Sequence, residues 1–335
     1  MRAVNEFSPA WFLRGPHAQT IWGRLTRPRR LVPLRREVVE TPDGDELILD
    51  HLDAAAPSVH FVLLHGLEGS SQSVYMQGIL DVIRRAGQSA TAINFRSCAR
   101  HPGRLFRTIP NRRPRFYHSG ETSDFDFVVR RLPQRPLVAF GASLGGNALL
   151  KWLGENPGQD LVTAAATISA PYDLAAGAAY LDTRVGRFYI SQFVRSLGKK
   201  IQRVIRDFPE TAKVVDVQRA LRARTFREFD NAATAPLHGF RDADDYYARA
   251  SSIFYLSRIT TPALCISARD DPFLPPEVLG RVRAVASPSI DLRVTSNGGH
   301  VGFVSGSSPW KSVYWAEELV VRWLIDKSAA ANIRP

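Results

Sequence analysis

Cysteine is nearly absent: Cys98 and Cys265 are the two cysteines in 335 residues. Two are too few for a disulfide framework, and both read as small core residues in a reducing compartment. No run of eighteen or more apolar residues occurs, which argues against a transmembrane helix. The opening residues, Met1-Arg-Ala-Val-Asn-Glu-Phe-Ser-Pro9, lack the apolar core of a signal peptide. A cytoplasmic location is the resulting expectation. None of the eight histidines sits in a His-x-x-x-His or carboxylate-flanked cluster, so neither a metal nor a cofactor is expected. Internal repeats and low-complexity segments are missing as well.

Acidic residues are outnumbered, 32 against 44 Lys and Arg, for a formal charge of +12. Residues 96–115 hold seven arginines and no acid, and residues 24–36 add Arg24, Arg27, Arg29, Arg30, Arg35 and Arg36. Such patches attract nucleic acid, anionic membrane or acidic substrates. A basic, solvated surface is the plainer reading of them. No nucleic-acid partner is expected, and peripheral contact of loop 96–115 with an anionic membrane is the specific alternative. At 44% hydrophobic and 23% charged, the chain is ordinary globular protein. Its length allows one large α/β domain with an insertion, or two domains.

What is present alternates. A hairpin over 36–52 turns at Pro42-Asp43-Gly44, and buried strands follow at Val59–His65, Ala90–Phe95, Leu137–Phe140 and Leu161–Ser169. Helical spacing falls near 73–86, at Thr122–Leu132 and from Leu144 to Asn156. Residues 172–258 differ: Thr183–Leu197, Lys199–Phe208 and Asp242–Ala250 read as helices, with no clear strand. Strands Ala263–Ser267 and Ile290–Thr295 then resume, with helices near 276–286 and 310–327. The pattern predicts a mostly parallel eight-stranded sheet with helices on both faces. An N-terminal arm (1–35) would pack on a core of 36–171 and 259–330, and 172–258 would form a helical lid inserted after the sixth strand.

One Gly-x-Ser-x-Gly occurs, Gly141 to Gly145, with Ser143 at its centre. Chance alone yields such a pentapeptide in about one chain in ten of this length at ~7% glycine usage, so the setting must carry the weight. It lies between a short apolar strand and an amphipathic helix. A sharp strand-to-helix turn lifts the serine hydroxyl clear of the sheet, beside a helix N-terminus. A serine hydroxyl is a weak nucleophile and needs a base, which needs an orienting carboxylate. On such a sheet the partners arrive in chain order Ser, Asp, His.

Past Ser143 two histidines remain, His238 and His300. His300 follows the last strand in Asn297-Gly-Gly-His-Val-Gly-Phe303 and is the expected base, whereas His238 reads as a surface residue of the lid. The acid is Asp271, held extended by Pro272, with Asp270 as the alternative or as a tie for the loop. Two backbone N–H groups, from Leu144 and Leu67, are expected to hold the oxyanion, with His65 bracing the second turn. His17 would line the pocket or, with Trp11, Phe12 and Trp22 as anchors, belong to the packed arm. Tyr246 and Tyr247 read as core. The substrate-binding residues are not legible.

Further segments carry a resemblance: Pro16-His-Ala-Gln-Thr-Ile-Trp-Gly23, His65-Gly-Leu-Glu-Gly-Ser70, Asn94-Phe-Arg96, Tyr117-His-Ser-Gly-Glu121 with Asp124, Ser169-Ala-Pro171 and Arg269-Asp-Asp-Pro-Phe273. With the two glycine motifs they run in order from residue 16 to 303. The chain resembles the AB hydrolase superfamily, and within it the YheT-like esterases related to eukaryotic α/β-hydrolase-domain lipid hydrolases. The resemblance implies an α/β-hydrolase fold and carboxylic-ester hydrolysis by Ser143, Asp271 and His300, on short- to medium-chain acyl or lipid esters. Ser97 stands where the family often has glycine after Asn-x-Arg, and the 98–115 loop looks individual. The same residues would serve an acyltransferase with an alcohol acceptor, or remain in a non-catalytic binding protein.

Overall fold

Apolar runs between turn residues become central strands buried on both faces, as a parallel sheet covered by helices requires, while the edge strands stay partly exposed. The computed structural model describes residues 6–28, 32–133, 136–183 and 186–331. Arg29 and Arg30 of the basic N-terminal stretch lie outside the described residues. The main sheet holds β1 (Arg35–Glu40), β2 (Glu46–Leu52), β3 (His60–Leu64), β4 (Ser89–Asn94), β5 (Leu137–Ala142), β6 (Val162–Ile168), β7 (Ala263–Ala268) and β8 (Ile290–Thr295). Their order is β1-β2-β4-β3-β5-β6-β7-β8. β1 and β2 pair antiparallel, as do β2 and β4, and the other neighbours run parallel. After β3 the chain goes first to β4 on one side and then to β5 on the other. The crevice beyond the carboxyl ends of β3 and β5 is therefore a switch point, where open α/β sheets place their ligands.

The helices of more than one turn, in chain order, are α1 (Pro16–Thr26), α2 (Val74–Arg85), α3 (Ser123–Arg131), α4 (Leu144–Glu155), α5 (Leu174–Leu181), α6 (Gly186–Asp207), α7 (Val217–Arg222), α8 (Ala243–Ala250), α9 (Pro276–Val285) and α10 (Trp315–Ala331). Alternation along each strand sorts side chains between two layers. Phe61 and Leu63 of β3 pack with Ile79 and Ile83 of α2 and Val320 and Leu324 of α10. Val62 and Leu64 pack on the other face with Phe125 of α3, Leu149 and Trp152 of α4 and Val282 of α9. Segment 172–258 enters between β6 and β7, adds no strand among its described residues, and builds its own apolar cluster around Ile190, Leu197, Ile201 and Phe229.

Three expectations need correction. The helices predicted at Thr183–Leu197 and Lys199–Phe208 are one, Gly186–Asp207, and residues 184 and 185 lie outside the described ones. Gly198 does not break it, because tertiary packing overrides the weak propensity penalty. The last helix begins at Trp315, not near 310; before it Val313–Tyr314 pairs with Val304–Ser305. Loop 96–115 contains a small ribbon, Arg100–His101 against Arg104–Thr108.

Candidate active site

Ser143 lies between β5 and α4 at φ 51, ψ −122, a region that costs a non-glycine residue about 1–3 kcal/mol. Two glycines make the turn sterically feasible. A Cβ on Gly141 would sit 2.5 Å from the Gly145 carbonyl oxygen, and one on Gly145 would sit 2.5 Å from that of Leu64. The Ser143 N–H donates to the Ile168 carbonyl at 2.9 Å, tying the turn to β6.

His300 arrives from the loop after β8. Its Nε2 lies 2.9 Å from Ser143 Oγ, and its Nδ1 lies 2.9 and 3.1 Å from the two carboxylate oxygens of Asp271. Asp271 is 2% exposed, receives the Phe273 N–H at 2.8 Å, and the Phe273 ring stacks on the imidazole at 4.2 Å. Asp270 turns to the loop instead, accepting the Gly299 N–H at 2.9 Å. The His300 N–H donates to Thr20 Oγ1 of α1, and the Val301 N–H to Ser169 Oγ, at 2.9 and 3.0 Å. Hence a chain of hydrogen bonds runs from a buried carboxylate through an imidazole to a strained serine. It can move the serine proton to Nε2 while Nδ1–H remains held.

Leu144 and Leu67 border the same cavity as Ser143. The loop bearing Leu67 is held from both sides. The Gly66 N–H donates to the Tyr75 hydroxyl at 2.7 Å. His65 Nδ1–H donates to the Gly66 carbonyl at 2.7 Å and its Nε2 accepts the Phe95 N–H at 3.0 Å. Burial pushes that imidazole down to about 4, so it stays neutral and the tautomer is fixed by its partners.

Several residues of this site make contacts that no spacing in the sequence shows. Glu68, next to Leu67, has φ 56 and lies 2.6 Å from Lys200 Nζ of α6. It also accepts from the hydroxyls of Tyr117 and Ser196. Burial favours the neutral acid, but Lys200 outweighs it and holds the Glu68 carboxyl below its usual range. Asn147, one turn after Ser143, donates to the carbonyls of Ser119 and Ala250 and accepts the Ser252 N–H, at 2.8–2.9 Å. It joins α4 to segment 172–258.

The cavity over Ser143 measures about 620 Å³, within the usual range for small-molecule sites. On the 172–258 side it is walled by Leu174, Ala178, Leu181, Phe193, Leu197 and Phe226. Asp230 interrupts this apolar wall, taking the Tyr247 hydroxyl at 2.7 Å, and burial lifts its carboxyl to about 6. Tyr246 and Tyr247 are buried, and both border the cavity. His17 contacts Tyr189, itself a cavity residue, at 2.9 Å. Two expectations are corrected. His238 is no surface residue: its ring lies 4.6 Å from His118 and burial drives its pKa well down. Trp11 does not anchor the arm by burial, being 68% exposed; buried Ala10, Leu13 and Gln19 do so.

Loop 96–115 is less free than its composition suggests. Arg96 is buried among Asp43, Asp45 and Asp124, Arg112 pairs with Glu46, and Arg115 pairs with Asp43 and Glu121. Its neutralising carboxylates come from outside the window. Among the described residues no group of three His, Cys, Asp or Glu could hold a metal, and no helix is long and apolar enough to cross a membrane.

Comparison with known proteins agrees with this architecture. Residues 59–307 match the family described as the alpha/beta hydrolase fold. The chain is 34% identical to "Putative esterase YheT" of Escherichia coli over 327 residues, covering 95% of this chain and 93% of that one. It is 30% identical to phospholipase ABHD3 of Bos taurus, covering 91% and 74%. Among solved structures, 2,6-dihydroxy-pseudo-oxynicotine hydrolase superposes with a TM-score of 0.55 at 15% identity, covering 96% of this chain and 77% of that one, which bears on the fold alone. A serine turn after the fifth strand, the sheet order and these relatives together place the chain in the α/β-hydrolase fold family, in the group that includes YheT and ABHD3.

Proposed function

We propose that this chain is a serine hydrolase of carboxylic esters, with short- to medium-chain acyl or lipid esters as substrates. The observation that carries the reading is the hydrogen-bonded line Asp271–His300–Ser143, with 2.9 Å at each imidazole nitrogen. Ser143 Oγ attacks the ester carbonyl while its proton passes to His300 Nε2. Asp271 orients the ring and stabilises the imidazolium. The oxyanion is held by the N–H groups of Leu67 and Leu144, and loss of one such donor costs about 3 kcal/mol. His300 then protonates the departing alcohol, leaving an acyl-Ser143 ester. Water, deprotonated by His300, releases the acid and restores the serine.

Residues 172–258 act as the lid in this reading, and their apolar wall takes the acyl chain. The names of YheT and ABHD3, an esterase and a phospholipase, support ester and lipid substrates. The test is labelling by a fluorophosphonate, which reacts with an activated serine. Wild type should label, Ser143→Ala should not, and wild type should hydrolyse a p-nitrophenyl ester series. Equal labelling of both proteins would remove Ser143 from the mechanism.

A further inference from the structure

Large apolar side chains lie exposed on one face beside the cavity. Trp310 is 93% exposed, Leu25 75%, Trp11 68% and Val313 47%. They are not scattered. Trp11 Nε1–H donates to the Ser307 carbonyl at 3.1 Å, on the turn that carries Trp310. Trp11, Phe12 and Trp22 follow one another at ring separations of 5.7 and 5.4 Å, and Trp22 Nε1–H donates to Ser312 Oγ at 3.0 Å. Leu25 lies one helical turn beyond Trp22 and Ile21 on α1. The arm, α1 and the 304–314 ribbon thus form one surface.

That surface reaches the cavity mouth. Thr20, Ile21, Gly23 and Arg24 of α1 border the cavity, as does Tyr314 of the ribbon. Its charge is of one sign. Residues 6–28 contain a single acid, Glu6, and residues 299–314 contain none. Arg14, Arg24 and Lys311 are exposed and make no ion pair among the described residues, unlike Arg96, Arg112 and Arg115 of the ribbon loop. Exposed indoles and a leucine with unpaired cations close by in the chain, Arg14, Arg24 and Lys311, match an interfacial anchor. The rings sit at headgroup level while the cations meet anionic lipid.

We propose that this face docks the protein on an anionic lipid bilayer, with Trp11, Leu25 and Trp310 entering the interface and the cavity mouth set against it. Contact is assigned here rather than to the 96–115 loop, where Arg96, Arg112 and Arg115 are paired with carboxylates. Docking stands without the esterase reading; only the delivery of lipid to Ser143 rests on it. Each unpaired cation should contribute about fivefold to the partition coefficient.

The experiment is co-sedimentation with vesicles of phosphatidylcholine alone or with phosphatidylglycerol, beside hydrolysis of soluble p-nitrophenyl butyrate. Wild type should partition onto the anionic vesicles and leave them as salt rises. The triple variant Trp11→Ser/Leu25→Ser/Trp310→Ser should lose at least about tenfold in partition, with soluble-ester turnover and thermal midpoint unchanged. Arg112→Ala/Arg113→Ala should bind as wild type does. Undiminished binding by the triple variant, loss only in the Arg112/Arg113 variant, or self-association of wild type without vesicle binding each overturns the docking face. If wild type binds vesicles but never turns over the soluble ester, the esterase reading fails and docking survives.

Discussion

Lys200→Met replaces a buried ammonium by an apolar side chain of similar length and leaves Glu68 without its counter-ion. The wild-type pair is 9% and 12% exposed at its two side chains, with 2.6 Å between charges. Breaking a buried pair from one side costs about 3–5 kcal/mol, because the remaining charge stays desolvated. At roughly 2 °C per kcal/mol for a large domain, the midpoint should fall by about 6–10 °C at neutral pH. The pH dependence gives a sharper reading. In wild type the Glu68 carboxyl lies below its ordinary value, so its contribution is present above the unfolded pKa and is lost as pH falls through the folded one. Without Lys200, burial dominates and the folded pKa rises above the unfolded one. The Lys200→Met deficit should therefore shrink on acidification from pH 7 towards 4.5, where the carboxyl can hold a proton. Glu68→Gln combined with Lys200→Met should recover most of the loss, since neither partner is then charged. Thermal melts of the four proteins of this cycle, at pH 7.5 and 5, supply the test. A deficit under about 1 °C at pH 7.5, or one that deepens at pH 5, would show that this pair does not hold α6 to the Leu67 loop as argued.

Two other variants probe separate parts of the site. Gly145→Ala forces a Cβ to 2.5 Å from the Leu64 carbonyl oxygen, so urea titration should show a loss of at least about 1–3 kcal/mol; a melt unchanged from wild type would mean that the β3–α4 crossing can relax. Asp230, held up at about 6 by burial, keeps a proton in the folded chain that the unfolded chain releases near 3.9. Folding stability should fall by roughly 3 kcal/mol as pH rises from about 4 to 6. Asp230→Asn should gain on wild type over that window in denaturant titrations, and parallel curves would refute the assignment.

Local patterns were legible because their causes are local. The turn at Ser143 follows from a strand, two glycines and a helix within twenty residues. Asp271 and Asp270 share one turn, and their division of labour depends on where the His300 loop lands, which no spacing reveals. Arg96, Arg112 and Arg115 read as free because the carboxylates that pair with them stand at 43, 45, 46, 121 and 124. The Glu68–Lys200 contact joins residues far apart in the chain, with no local pattern to link them. The sequence reads two helices, Thr183–Leu197 and Lys199–Phe208, where there is one, because propensity is visible in sequence and the packing that overrides it is not.

The bond from the His300 N–H to Thr20 has a bearing on how this protein can be divided or recombined. The family-matched stretch, 59–307, contains Ser143, Asp271 and His300, yet the helix that receives His300 lies before it. Gln19 of that helix grips both the N–H and the carbonyl of Val304, and Gly299 passes within Cβ distance of the Pro16 carbonyl. A graft of the matched stretch into another scaffold would carry Ser143, Asp271 and His300 and omit the strut that positions the His300 backbone. The smallest transplantable unit therefore begins before Pro16, and swaps among relatives are best cut in the arm rather than at the first strand.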